Sequence, residues 1–460
     1  MTETARDKLP LTTKLAYGAG DLGPAIVAGV NGFFIFDFLI NVAGLRPAAA
    51  GSVFLVAKIW DAVNDPVVGW LTDKTVTRWG RRRPWLLFAA IPFGLAFFLH
   101  WIVPPLSEGA KFWYYLVVGL LLDTAITAVN VPYVSLTPEL THDYDERTSL
   151  TSVRMSFSIL GSVLAVFFHT QIVSAFDDPY TGNAVSAGVW AFFLITPCFI
   201  TFFGTREPEH TATPAASEGP GFLDGLWIAF SNRAFILVTV IYMLSWLTIQ
   251  FVQNNLFIYV KDWVKMDTRV FGFVLLALQF SGFVWVLIWT RVCERIGKQN
   301  IYYLGGAVFV LVLLGLFLVQ PGQTALVFAL AVVAGVGLAV AYLVPWSMIP
   351  DVIELDELET GQRREGVFYG FFVFLQKLGL SLGLFISGQV LDYVGYIRAV
   401  PGQPAPAQPE QVLLALRILV GPAGAAIMLL SFIAVYLYPI TREKHAEIRA
   451  QLAVRKGIGA

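Results

Sequence analysis

Charge is what this sequence has least of. Only 14% of its 460 residues are Asp, Glu, Lys or Arg, against about a quarter in a soluble domain. Cysteine is nearly absent. Cys198 and Cys293 both fall in or beside apolar runs, where a thiol acts as a small buried hydrophobe, so no disulfide framework can be read. The five histidines form no metal-type cluster and no nucleophile–base pair, which argues against an enzyme. The formal net charge is -1 and no stretch forms a basic domain, so nucleic acid is excluded as a partner. The opening MTETARDKLPLTTKLAYG lacks a cleavable signal pattern, and the first apolar run is long enough to stay as a helix.

What is abundant is hydrophobicity. Apolar residues make up 57% of the chain, and the mean hydropathy is +0.68. A hydrocarbon core of about 30 Å needs about 20 apolar residues per helix. On that length the chain divides into spans near 16–42, 49–72, 84–104, 112–137, 150–174 and 186–204, then 233–260, 270–290, 300–319, 324–349, 366–394 and 412–438. The fold class expected is an all-α integral membrane protein with twelve transmembrane helices in two six-helix halves. The halves are residues 1–204 and 233–440; a linker, 205–232, opens with the Pro/Ser/Thr/Glu-rich TREPEHTATPAASEGPG, and a tail covers 441–460.

Lys and Arg set the orientation. They collect in the N-terminal tail, in the loop Lys74–Arg83, in the linker, at Arg291, Arg295 and Lys298, and in the C-terminal tail. The opposite side holds only Arg46, Lys111, Lys261, Lys265, Arg269 and Arg398. Both termini are therefore expected in the cytoplasm, with the protein multi-pass in the cell (inner) membrane. The halves echo one another. LTPELTHDYDER after the fourth span parallels MIPDVIELDEL after the tenth, and TDKTVTRWGRRR after the second parallels TRVCERIGKQ after the eighth. Repeated halves with a site at the midplane are a common transporter plan.

Charges inside the spans mark candidate function, because each costs about 2.5–3.5 kcal/mol on insertion scales. Asp37 and Asp392 lie near predicted span ends, where water is close. On the second span Lys58, Asp61 and Asp65 are three and four residues apart and share one helix face, flanked by Asn64. On the fourth, Asp123, Thr127 and Asn130 form a second polar stripe. Carboxylates, an amide and a hydroxyl are the oxygen donors that a hard cation takes. A bound cation relieves the repulsion of two acids at i, i+4, and so does a shared proton. A Lys58–Asp61 ion pair, with Asp65 bonded to a neighbouring helix, is the structural alternative. Pro66 bends the helix and frees a carbonyl of the preceding turn, near Ala62. Arg154 and Lys377 are deep cations on different halves. Their partners are expected among Asp61, Asp65 and Asp123, or else in a solute and in a competition with the coupling ion.

These residues sit in AYGAGDLG (16–23), KIWDAVNDPVVGWLTDKTVTRWGRRRPW (58–85), NVPYVSLTPELT (130–141), PDVIELDELETGQRREG (350–366) and FLQK (374–377). With these motifs the chain resembles the glycoside–pentoside–hexuronide:cation symporters, the melibiose-permease-like family of the major facilitator superfamily. The resemblance implies the major facilitator fold and a cation site, Na+ at Asp61 and Asp65 with Asn64 and Thr127, with Li+ or H+ as alternatives. It implies coupling through Lys377, beside Lys58, and solute binding at Arg154. The melibiose pattern is not kept at the solute positions. Its acids fall at Ala25 and Asn130, and its tryptophans at Val134 and Tyr342, so an α-galactoside is disfavoured, while Asn130 and Asp123 remain hydrogen-bonding groups.

The function expected is alternating-access symport of a glycoside-type small polar solute, with no cofactor besides the coupling ion and with a monomer as the working unit. Sodium-dependent lysophospholipid carriers are similar in the second-span acids and the eleventh-span lysine, so an amphiphile is the alternative cargo, and a non-transporting sensor a third reading. A cytoplasmic gate is expected at Asp73, Arg81, Arg82, Glu139, Arg147, Asp351, Arg363 and Arg364.

Overall fold

The computed structural model describes residues 9–141, 143–207, 222–362, 364–400, 403 and 405–455. Arg363, the tail beyond 455, most of the linker (208–221) and the N-terminal cations Arg6 and Lys8 lie outside the described residues.

Twelve long helices are present among these residues: α1 Leu11–Ile35, α2 Pro47–Lys74, α3 Arg83–His100, α4 Glu108–Ser135, α5 Tyr144–Val173 and α6 Pro179–Gly204, then α7 Arg233–Tyr259, α8 Thr268–Ile296, α9 Lys298–Leu318, α10 Thr324–Thr360, α11 Glu365–Tyr393 and α12 Glu410–Leu437. Eleven are long and apolar enough to cross a membrane. The remaining one, α2, has 28 residues, about 42 Å at 1.5 Å per residue, and carries Lys58, Asp61, Asn64 and Asp65 along its middle.

Their ends follow capping chemistry. The Asp143 side chain accepts from Glu146 N at 2.9 Å, and the Asn232 side chain from Phe235 N at 3.0 Å. Outside the spans, hydrogen bonds from Thr181 hold the Asp178 carboxyl below the usual carboxylate range as it caps α6. Pro47 and Pro179 occupy first-turn positions, where a missing N–H costs nothing. Pro66 stays inside α2 without ending it. α1 carries a π-helical segment at Asn31–Ile35 and is followed by another at Phe38–Val42.

Several expected boundaries move: α5 and α6 begin at Tyr144 and Pro179 instead of near 150 and 186, α8 runs to Ile296 instead of stopping near 290, and three further differences follow. α10 runs to Thr360 instead of stopping near 349, because the Glu- and Leu-rich ELDELET is helix-forming outside an apolar core, and Gly361 (φ 75°) ends it. Part of the expected linker is a ten-residue helix, Phe222–Ser231, and the tail contains the helix Arg442–Arg455.

The chain forms two compact units. The first comprises Met1–Thr213 with Asp267–Leu276 and Tyr396–Ala407; the second comprises Pro214–Met266, Ala277–Gly395 and Gln408–Ala460. In the first, α1 packs on α5 and α6, α3 on α4 and α6, and α2 on α4. In the second, α7 packs on α11 and α12, and α9 on α10 and α12. Advancing each helix number by six converts the α1–α5, α1–α6, α3–α4 and α3–α6 pairings into the four of the second unit. Small residues permit close approach. Gly335 on α10, for example, lies against Ser281 and Gly282 of α8, and the Ser281 hydroxyl donates to Val332 O at 2.5 Å.

Candidate functional site

α2 and α4 bring the two polar stripes of the first unit together. The Thr127 hydroxyl lies 2.9 Å from Asp65 Oδ1 and 3.2 Å from Asp61 Oδ1. It has one proton, so it donates to one carboxylate at a time. Asp61 and Thr127 are only 6% and 2% exposed. Asn64 is buried beside them, and its Nδ2 makes no hydrogen bond. Lys58 sits one turn before Asp61. Its ammonium donates to Asp123 Oδ1 at 2.9 Å and lies 3.5 Å from Asp61 Oδ2. Asp123, expected among solute-binding groups, is thus engaged by Lys58 across the α2–α4 contact. Carboxylate and hydroxyl oxygens meet here, with the buried Asn64 on the same helix, and such groups are the donors that a hard monovalent cation takes in place of its hydration shell.

Arg154 on α5 is placed elsewhere. The carboxylate facing it is Asp21, between the two first segments of α1, not Asp61, Asp65 or Asp123; Ser158 hydrogen-bonds the same Asp21, and Arg154 Nε is buried without a hydrogen bond. Asp21 is not among the residues expected from the sequence, although it stands inside AYGAGDLG, one turn before Ala25. Ala25 is buried in the core of the unit at 7% exposure. Asn130 is half-buried on α4, and Val134, one turn on, is exposed.

In the second unit Lys377 is half-buried on α11. Tyr342 on α10 is 40% exposed and meets Trp246 edge-on, with ring centroids 4.9 Å apart. Trp346, also 40% exposed, donates through Nε1 to Tyr242 Oη at 2.7 Å, and Tyr242 stacks on Phe372 at 4.2 Å. Trp246, Trp346 and Tyr242 were missed. The signal was there: Tyr-x3-Trp occurs on α7 (Tyr242, Trp246) and again on α10 (Tyr342, Trp346).

The expected gate residues pair inside their own units. Arg81 reaches Glu139 at 2.6 Å, and Arg82 reaches Asp73 at 2.6 Å while its second amino group donates to Thr72 Oγ1 at 2.7 Å. Arg147 donates to Thr141 O at 2.9 Å. Asp351 pairs with Lys298 at 2.6 Å, and Arg364 grips Asp356 through two bonds of 2.9 and 2.5 Å. Glu207, which accepts from the backbone N–H groups of Arg81 and Arg82 at 2.8 and 3.0 Å, was not anticipated.

Twelve long helices among the described residues, with Asp61 and Asp123 buried where α2 meets α4, fit a membrane transporter of the major facilitator fold. Solved structures agree on the fold. The nucleoside transporter NupG superposes with a TM-score of 0.64 at 15% identity, over 93% of this chain and 99% of its own. A D-xylose–proton symporter gives 0.65 at 14% identity, over 93% and 96%. The profile of the MFS/sugar transport protein family matches residues 16–442, and the chain belongs to this family. It is 38% identical to an uncharacterised symporter of Synechocystis sp., over 98% of both chains. It is 30% identical to the sodium-dependent lysophosphatidylcholine symporter 1 of Gallus gallus, over 97% of this chain and 90% of that one. The Homo sapiens protein of the same name is 29% identical, over 97% and 89%.

Proposed function

We propose that the protein is a Na+-coupled symporter, with the ion at Asp61, Asn64, Asp65 and Thr127 and an amphiphilic, lysophospholipid-type solute as cargo. The observation that carries the coupling is the single Thr127 hydroxyl between Asp61 and Asp65. Two carboxylates around one proton donor keep their oxygens oriented toward a shared point, and a cation there offsets their repulsion. Filling it favours the conformation that binds solute, so cargo and ion raise each other's affinity. Lys58 holds Asp61 by charge and locks α2 to α4 through Asp123, which keeps the ion donors in register.

The cargo reading rests on what stands at the solute positions. Ala25 and Val134 offer no hydrogen bonds, whereas Arg154 beside Asp21 supplies one polar, charged locus. Tyr342 and Trp346 present exposed aromatic faces in the second unit. A charged headgroup and an acyl chain match one polar locus amid apolar surface, and the sodium-dependent lysophosphatidylcholine symporters are relatives over nearly the full chain. A sugar-type solute is the second reading, supported by the family's description and by the half-buried Asn130. Both readings place the protein in the cell inner membrane with its termini in the cytoplasm, working as a monomer.

The test is uptake into proteoliposomes of labelled lysophosphatidylcholine and of a sugar panel, each with an inward Na+ gradient, an inward proton gradient or neither. Na+-stimulated lysolipid uptake is expected. Na+-stimulated sugar uptake alone selects the second reading. No gradient-dependent uptake of any solute refutes symport.

A further inference from the structure

The loop after the second helix of each half has the same build. Gly80-Arg81-Arg82-Arg83 leads into α3, and Gly297-Lys298-Gln299-Asn300 leads into α9. Both glycines take positive φ, 101° and 84°. The residue after each glycine reaches the acid that follows a proline, just past the fourth helix or late in the tenth, Arg81 to Glu139 and Lys298 to Asp351, both at 2.6 Å. The chain leaving the sixth and twelfth helices repeats as well, as Thr205-Arg206-Glu207 and Thr441-Arg442-Glu443.

The two glutamates then differ. Glu207 lies across the start of α3 and accepts from the backbone N–H groups of Arg81, Arg82 and Arg83 at 2.8, 3.0 and 3.4 Å. Its carboxylate fills the space over Gly80, where a Cβ would strike it. Glu443 turns away. It accepts from its own backbone N–H and from the Thr441 hydroxyl at the start of the C-terminal helix, which holds its carboxyl below the usual range. No side chain among the described residues caps the start of α9. The position over Gly297 is open, and a Cβ there would meet nothing nearer than Arg442 Cβ at 4.0 Å.

What stands in place of the missing carboxylate is a cavity of about 1000 Å³, bordered by Gly297 to Asn300 and by Arg295, Arg442 and Arg449. Several basic groups of its wall are engaged, Arg442 among them, since one of its amino groups donates to Arg295 O at 2.8 Å and leaves the rest of the guanidinium for a ligand. Lys298 is held by Asp351 at 2.6 Å and by Ser347 O at 2.6 Å, and His445 by Glu354 at 2.9 Å. Glu294 and Glu443 are the rim carboxylates. First-turn N–H groups need acceptors and carry the positive end of the helix dipole. Guanidinium groups match the oxygens of a phosphate in pairs.

We propose that this cavity binds a phosphate-bearing anion, held by the first-turn N–H groups of α9 and by Arg295, Arg442 and Arg449. The other half shows the chemistry with its own side chain: an anion seated on three consecutive N–H groups after a positive-φ glycine. Here the seat is larger, it is ringed by guanidiniums, and the chain leaves it open. A phosphate ester there ties α9, the loop before it and the C-terminal helix together. Its source is either the headgroup of an anionic phospholipid in the leaflet at this end of the helices or a soluble phosphate compound.

The experiment uses the full-length protein in nanodiscs. One arm titrates inorganic phosphate into phosphatidylcholine discs at constant ionic strength. The other compares discs of phosphatidylcholine with discs containing phosphatidylglycerol, without phosphate. Melting temperature is read in both. A rise of about 3 °C or more is expected in at least one arm, as for any ligand that binds only the folded state; the arm that responds names the source. Arg449→Glu and Arg295→Gln should each remove most of the rise, and Glu443→Gln should enlarge it by lifting the rim's negative charge. Arg295→Gln decides if Arg449→Glu does not fold. The proposal is overturned if neither arm moves the melting temperature, or if Arg295→Gln keeps the full rise.

Discussion

The Lys58 ammonium lies 2.9 Å from Asp123 Oδ1 on α4 and 3.5 Å from Asp61 Oδ2 on its own helix. One side chain therefore joins the helix that carries the ion donors to the helix that carries Thr127, and its charge is divided between two carboxylates.

Removing that ammonium alone leaves two acids facing an empty place. Lys58→Met is expected to cost on the order of 3 kcal/mol, the scale for breaking a buried pair from one side. Lys58→Met combined with Asp123→Asn should cost less than the single change, since no uncompensated charge is then left at position 123. Thermal unfolding of the three proteins in one detergent checks the order, and a double variant weaker than Lys58→Met contradicts it.

Thr127→Val keeps the volume and removes the hydroxyl between Asp61 and Asp65. The apparent Na+ affinity should fall about tenfold, equivalent to about 1.4 kcal/mol, while solute affinity at saturating Na+ stays within about twofold. Direct Na+ titration of solute binding separates the two effects; an unchanged Na+ response rules Thr127 out as a donor.

The aromatic faces of the second unit should act on cargo alone. Tyr342→Ala and Trp346→Ala are each expected to raise the KM for lysolipid uptake several-fold and to leave the Na+ concentration for half-stimulation unchanged. Trp346→Ala also strips Tyr242 of a hydrogen bond, so its effect should be the larger. Equal loss of sugar and lysolipid transport would point to a structural fault instead.

Gly80→Ala should be worse than Gly297→Ala. Both positions have positive φ, at a cost of about 1 kcal/mol or more for a residue with a side chain. Only at Gly80 does the new methyl also meet a carboxylate, that of Glu207. The yield and melting temperature of the two variants measure the difference, and Gly80→Ala with Glu207→Ala should recover part of it.

Most of the fold was legible because its signals are local. Long apolar runs and their breaks place each of the twelve helices, with ends up to about two turns off and α10 longer still, and the polar face of α2 follows from spacing alone. The errors also have local causes. ELDELET resembles an exit loop because hydropathy ends before helix propensity does, and Phe222–Ser231 resembles linker because that ten-residue helix and Asn232 are all that lies between the Pro/Gly stretch and α7.

The sequence by itself determined that this chain spans a membrane, that it repeats, and that Lys58, Asp61 and Asp65 share a helix face, since rise, pitch and hydrophobic length belong to each segment alone. The tertiary structure decided who meets whom. Lys58 reaches Asp123 as well as Asp61, Arg154 faces Asp21, and Glu207 caps α3 while its counterpart Glu443 leaves α9 open. Such partners lie on different segments, and their distance depends on which helices are neighbours and how each is turned about its axis. The packing of the whole unit sets those quantities, and no single stretch of sequence carries them.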